Sequence, residues 1–130
     1  VVSVNDVLIV VVFVSSTPVF VFFDILNGGA GKDTFVLGNA DAIYYGYGVA
    51  TGLLDVAVIE DFNRHEDTIQ LKGSASDYSL RVFGSNTVLG SNTQVGSGVG
   101  ILSSSREIVG FVQDVNLLEL NLNSTSFEYV

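Results

Sequence analysis

Cysteine, methionine and tryptophan are missing from this chain of 130 residues, which also has one proline, one histidine and five basic residues. Without cysteine, neither a disulfide nor a thiolate metal site can form. The lone histidine, His65, sits in the charged turn Asn63-Arg64-His65-Glu66-Asp67 and has no second histidine or cysteine to join. It reads as a surface residue rather than a zinc ligand or catalytic base. No serine stands in a nucleophile elbow, so nothing in the sequence supports an enzyme. The basic residues Lys32, Arg64, Lys72, Arg81 and Arg106 are scattered, and the formal charge is −9. That balance argues against nucleic acid and anionic membrane surfaces, and it suits a protein that collects cations. Long hydrophobic runs are also lacking. Val7 to Val14 is apolar but too short to span a bilayer, has no basic leader, and is broken by Ser15-Ser16-Thr17-Pro18, so neither a membrane span nor a signal peptide is expected. With no methionine at its start, the chain reads as a fragment or a processed product.

What is present points to strands. Fourteen glycines lie among abundant Val, Ile, Leu, Phe and Tyr, which implies an all-β fold with little or no helix. The length suits one domain with a real core.

The densest pattern is Gly28-Gly29-Ala30-Gly31-Lys32-Asp33-Thr34-Phe35-Val36, which matches Gly-Gly-x-Gly-x-Asp-x-hydrophobic-x. Glycines let the backbone curl so that its carbonyls face an ion, and the aspartate adds a hard anionic oxygen. Phe35 then turns inward as a short strand. The phase extends upstream in steps of nine. Asp24 and Leu26 occupy the positions of Asp33 and Phe35, as do Asp6 and Leu8, whereas residues 10 to 18 keep the frame loosely with Ser15 and Thr17.

On these residues the chain resembles the C-terminal part of RTX (repeats-in-toxin, hemolysin-type) calcium-binding proteins, which bacteria secrete by type I export. The resemblance implies a short parallel β-roll over residues 1–42 followed by a β-rich antiparallel cap over 43–130, and an extracellular or cell-surface location. It also implies an uncleaved C-terminal export signal, which the ending Ser126-Phe127-Glu128-Tyr129-Val130 resembles. The chain departs from the family at the upstream glycine positions, which hold Val1, Val2 and Val4, then Val10, Val11 and Phe13, then Val19, Phe20 and Phe22. β-Branched and aromatic residues resist positive φ. Three readings stand open: a degenerate roll without ions in its early turns, an apolar strand pair that docks on a neighbouring subunit, or glycine in the protein itself, one nucleotide change from valine. Intact mass separates the last from the others.

Downstream, Leu37-Gly38-Asn39-Ala40-Asp41 reads as the loop closing the last turn. Leu54 to Asn63, continuing to Glu66-Asp67-Thr68-Ile69-Gln70-Leu71, resembles the family's Asp-Phe corner and following Asp-x-Ile-x-Leu strand. In the cap, Tyr78 to Phe83, Glu107 to Val112 and Leu117 to Leu122 read as strands, Ser85-Asn86 and Gly90-Ser91-Asn92 as turns, and Gly96 to Gly100 as a flexible loop. Tyr44, Tyr45 and Tyr47 suit strand packing better than a carbohydrate platform.

The resemblance places two nonapeptides, about 18 residues, in each turn. That stacks Asp6 on Asp24, Ser15 on Asp33, Asp24 near Asp41, and Asp33 near Thr51 and Asp55. Calcium takes six to eight oxygens, and the loose geometry disfavours magnesium. The expected ligands are Asp33 with the carbonyls of Gly28 and Ala30, Asp24 with Asn39 and Asp41, then Asp6 and Asp61. Asp55 and Asp67 suit backbone-bonding turns better than ion binding, and Glu60 and Glu66 suit solvent.

Two functions fit these residues. One is a secreted structural calcium-binding protein that assembles as a filament or surface-layer subunit. The other is a calcium-folded secretion and stability module at the end of a larger exported exoprotein or toxin. Residues 1 to 23 carry one charge, Asp6. Because side chains alternate along a strand, half of that apolar segment must face outward, and a second copy of the chain is the expected cover.

Overall fold

The computed structural model describes residues 7–9, 22–45, 55–89 and 93–130. These residues form eleven strands: β1 (Val7–Ile9), β2 (Phe22–Leu26), β3 (Thr34–Val36), β4 (Asp55–Ile59), β5 (Thr68–Leu71), β6 (Tyr78–Phe83), β7 (Val88–Leu89), β8 (Thr93–Gln94), β9 (Gly98–Ser103), β10 (Ile108–Gln113) and β11 (Phe127–Tyr129). Among the described residues the only helical segments are short 3-10 turns at Ala75–Asp77 and Leu117–Glu119. The fold is all-β with mixed sheets.

One sheet runs β1-β3-β5-β11 and is parallel throughout. A second runs β2-β4-β10-β9-β6, parallel from β2 to β10 and antiparallel beyond, and β7 and β8 form a small antiparallel pair of their own. From β1 to β5 the chain crosses from one sheet to the other at each successive strand. Parallel neighbours need such a crossover, because a tight hairpin can join only antiparallel ones.

The core lies between the sheets. Phe35, Ile69 and Phe127 from the first sheet meet Leu26, Ala57, Ile59, Val99, Ile101 and Val112 from the second. Along β4 the pattern alternates: Ala57 and Ile59 enter this core, while Val56 and Val58 point to the opposite face. There they pack with Phe111 and Val95, and the Gln113 side chain holds the Val95 carbonyl at 2.6 Å. The centre of the second sheet, at β4, β10 and β9, is thus buried on both faces, whereas its edge strands keep exposed residues such as Ile25 and Val82.

Three expectations are corrected. The turn does not take two nonapeptides: Val7 pairs with Thr34, Asp24 with Ala57, and Thr34 with Thr68, so stacked residues lie 27, 33 or 34 apart. The intervening chain is longer than a bare repeat, which breaks the expected step. Gly96 to Gly100 is not a flexible loop, because Gly98 begins the wholly buried β9. A β-carbon on Gly98 would strike the Val112 carbonyl and the Phe111 ring, so glycine here makes room for packing rather than for motion. Leu117 to Leu122 is not a strand. Asn116 accepts a hydrogen bond from the Leu118 N–H at 2.9 Å and starts a 3-10 turn, leaving Leu118 92% exposed.

The other cap strands lie close to where the pattern puts them, at Tyr78–Phe83 and Ile108–Gln113, and Ser85 and Asn86 form a turn. The turn at Gly90-Ser91-Asn92, Thr51, Tyr47, and most of the apolar N-terminal segment fall outside the described residues.

Candidate functional site

The nonapeptide folds as a glycine turn running into β3. Gly29 and Gly31 take positive φ, 79° and 106°, which side-chain-bearing residues adopt with strain. Gly28 is buried, and a β-carbon there would collide with the Asp33 carboxylate. Asp33 itself is only 1% exposed, and the next alternate residue, Phe35, is fully buried. The segment therefore sends an acid and then an aromatic ring inward.

The next turn of chain closes over this one. Asp61 Oδ1 accepts the Gly28 N–H at 2.9 Å, and its Oδ2 accepts the Gly29 N–H at 2.7 Å. Two successive amides converging on one carboxylate make an anion nest. Phe62 comes next in the chain and packs its ring 6.3 Å from that of Phe35. The Asp-Phe corner therefore works as a clasp: the acid holds the preceding turn's backbone and the ring extends its core.

A second clasp lies one strand start further on. Asp67, 4% exposed, accepts the Asp33 N–H on Oδ1 at 3.0 Å and the Asn63 N–H on Oδ2 at 2.8 Å. Burial pushes the Asp67 carboxyl above its ordinary range; the two N–H donors pull it back, and the Asp33 and Asp61 charges push it up again. Asp33, Asp61 and Asp67 thus form one acidic neighbourhood around the glycine turn.

The other expected ligands have partners of their own. Asp24, in β2, accepts the buried Tyr45 hydroxyl on Oδ2 at 3.0 Å. Asn39 Oδ1 accepts the N–H groups of Asp41 and Ala42 at 2.9 and 2.8 Å, so Asn39 shapes its own loop and Asp41 is exposed. Ala30 is exposed as well. Asp6 lies outside the described residues. Ser15, expected to stack on Asp33, also lies outside the described residues; the Asp33 N–H is held by Asp67.

Asp67 forms a turn, as its place before a strand suggests, but its hold on Asp33 is not evident from that place alone. The repeated tripeptides Asp33-Thr34-Phe35 and Asp67-Thr68-Ile69 are the signal that could reveal it, since Thr34 pairs with Thr68 and Phe35 with Ile69. His65 is exposed, as expected. It lines an open depression of about 650 Å³ with Phe62, Asn63, Arg64, Asn116, Leu118 and Glu119.

Among the described residues, no group of three or more His, Cys, Asp or Glu side chains is arranged to hold a metal ion, and no helix is long and apolar enough to cross a membrane. No protein-family model matches the chain, and neither does any curated protein.

Proposed function

We propose that this chain is a secreted calcium-binding β-roll protein of the RTX type, structural in role, that assembles outside the bacterial cell as a filament or surface-layer subunit. The observation that carries the reading is the conformation of residues 28 to 36: two positive-φ glycines, a buried aspartate and an inward aromatic, in the order the repeat requires. Crossing from β1 to β5 between a parallel sheet and the parallel half of a mixed one supports the roll.

Calcium suits the donors in kind and in charge. Every candidate is a hard oxygen, and Asp67, raised first by burial, is raised further by the nearby charges of Asp33 and Asp61. An oxygen that accepts one N–H keeps a second lone pair. Asp33, with carbonyls of Gly28 and Ala30 and with Asp61 alongside, would hold the ion; Asp24, Asn39, Asp41 and Asp6 are the further candidates. Bound there, calcium would neutralise the acidic neighbourhood and stiffen the turn. Because the described side chains do not already converge in threes, binding would draw its remaining oxygens from backbone or water.

Strand direction supports assembly. Within the described strands, β1 and β11 end the first sheet and run parallel, while β2 and β6 end the second and also run parallel, through two antiparallel steps. A second copy stacked head to tail would therefore meet strands of matching direction in both sheets, and such contacts extend into a fibre unless the rotation closes. Ile25, 61% exposed on β2, adds an apolar contact at that end.

The experiment is sedimentation velocity and thermal unfolding in millimolar calcium and after chelation. Large regular assemblies and a calcium-dependent rise in Tm are expected; calcium at 100 times its Kd stabilises by about 2.7 kcal/mol. The rise should be lost in Asp33→Asn. An unchanged Tm rejects calcium, and a compact monomer in calcium rejects the filament. A monomer that expands on chelation would instead favour the alternative, a calcium-folded terminal module of a larger type I exported exoprotein or toxin.

A further inference from the structure

We propose that Asn27-Gly28 is a latent covalent modification site, a succinimide-forming pair that the Asp61 clasp holds shut. It is the only Asn-Gly pair in the chain. In such a pair the glycine amide nitrogen attacks the asparagine Cγ, a C–N bond forms, the Cγ–Nδ2 bond breaks, and ammonia leaves. Water then opens the ring at either carbonyl, yielding aspartate or isoaspartate. Glycine favours the attack because no side chain hinders its nitrogen.

Here both requirements for that chemistry are opposed. The Asn27 side chain is exposed and open to water, but the nucleophile is engaged, because the Gly28 N–H donates to Asp61 Oδ1 at 2.9 Å. The attacking form is the deprotonated amide, and an anion forming against the Asp61 carboxylate, with buried Asp33 packed on Gly28, is disfavoured by like charge. A carboxylate is also far too weak a base to take an amide proton. Gly29, bound to the other oxygen at 2.7 Å with φ at 79°, fixes the turn against the rotation that ring closure needs.

The consequence is a one-way switch. While the clasp is closed, Asn27 persists. Whenever the turn opens, conversion adds a negative charge beside Asp33, Asp61 and Asp67. The isoaspartate product also lengthens the backbone by one methylene just before Gly28, which pulls both amides out of register with Asp61. This inference stands apart from calcium binding, since it uses only the clasp.

The test is peptide mapping by mass spectrometry of the full chain held at mildly alkaline pH without calcium, folded and in urea, with exposed Asn123, followed by Ser124, as an internal reference. Conversion at Asn27 is expected to be at least about tenfold slower folded than in urea. Asp61→Ala should restore most of that rate at Asn27 while leaving Asn123 unchanged. Equal rates in the folded and urea-unfolded wild-type chain would overturn the proposal, as would a folded Asp61→Ala chain that keeps Asn27 protected. If the variant unfolds, both sites accelerate, and the wild-type chain decides. In sub-denaturing urea its Asn27 conversion should rise in step with hydrogen exchange at the Gly28 amide, and a conversion rate indifferent to that exchange would reject the clasp as the lock.

Discussion

Asp61 has a role that its position in the sequence only hints at. Both carboxylate oxygens hold backbone N–H groups of a turn 32 and 33 residues earlier. Asp61→Ala leaves those amides without their acceptor, and the expected loss is about 1 to 3 kcal/mol in urea unfolding. Asp67 behaves differently because burial raises its carboxyl. An acid with a raised folded pKa binds its proton more tightly in the folded chain, so its contribution to stability is fully present below the ordinary value of 3.8 and is lost as pH rises through the folded value. In calcium-free buffer, Asp67→Asn should therefore flatten the fall in stability between acid and neutral pH; a difference between the two chains that does not vary with pH would refute this. At this scale the sequence exposes Asp33 through its glycines, because glycine adopts those dihedral angles without strain. Asp67 stays hidden, because its partner, the Asp33 amide, lies 34 residues away.

Among the elements, periodicity succeeds where one face is wet and fails where packing overrides it. Tyr78–Phe83 is legible as an edge strand, alternating from Tyr78 to Arg81 before Val82 faces solvent and Phe83 packs on Phe111. Gly98–Ser103 is not, since its glycines look like a loop until the Phe111 and Phe83 rings are placed over them, 5.8 Å apart and edge to face. Gly98→Val should cost about 1 to 3 kcal/mol or more by thermal or urea unfolding, because the Val112 carbonyl that a β-carbon would meet is backbone and cannot swing aside. Leu117 to Leu122 fails in the opposite sense. Its alternation is real, but Asn116 caps a 3-10 turn and leaves Leu118 in solvent. Leu118→Ser should change stability by less than about 0.5 kcal/mol, with any effect confined to association.

Across the whole molecule, both sheets draw strands from each half of the chain: β1 and β3 lie beside β5 and β11, and β2 lies beside β4 and β10. The nonapeptide region and the later strands therefore share one core, and loosening either should lower a single cooperative transition in calorimetry rather than one of two. Composition alone settled the all-β class, since this stock of β-branched and aromatic residues without cysteine has strands as its economical fold. The glycine pattern alone settled where the tight turn and its acid lie, because dihedral freedom is a property of the residue itself. Stacking distance, the clasping partners of the turn, and the burial of a glycine-rich strand were decided only on folding. Each depends on how much chain loops out between strands, and loop length carries no local signal of which residues it will bring face to face.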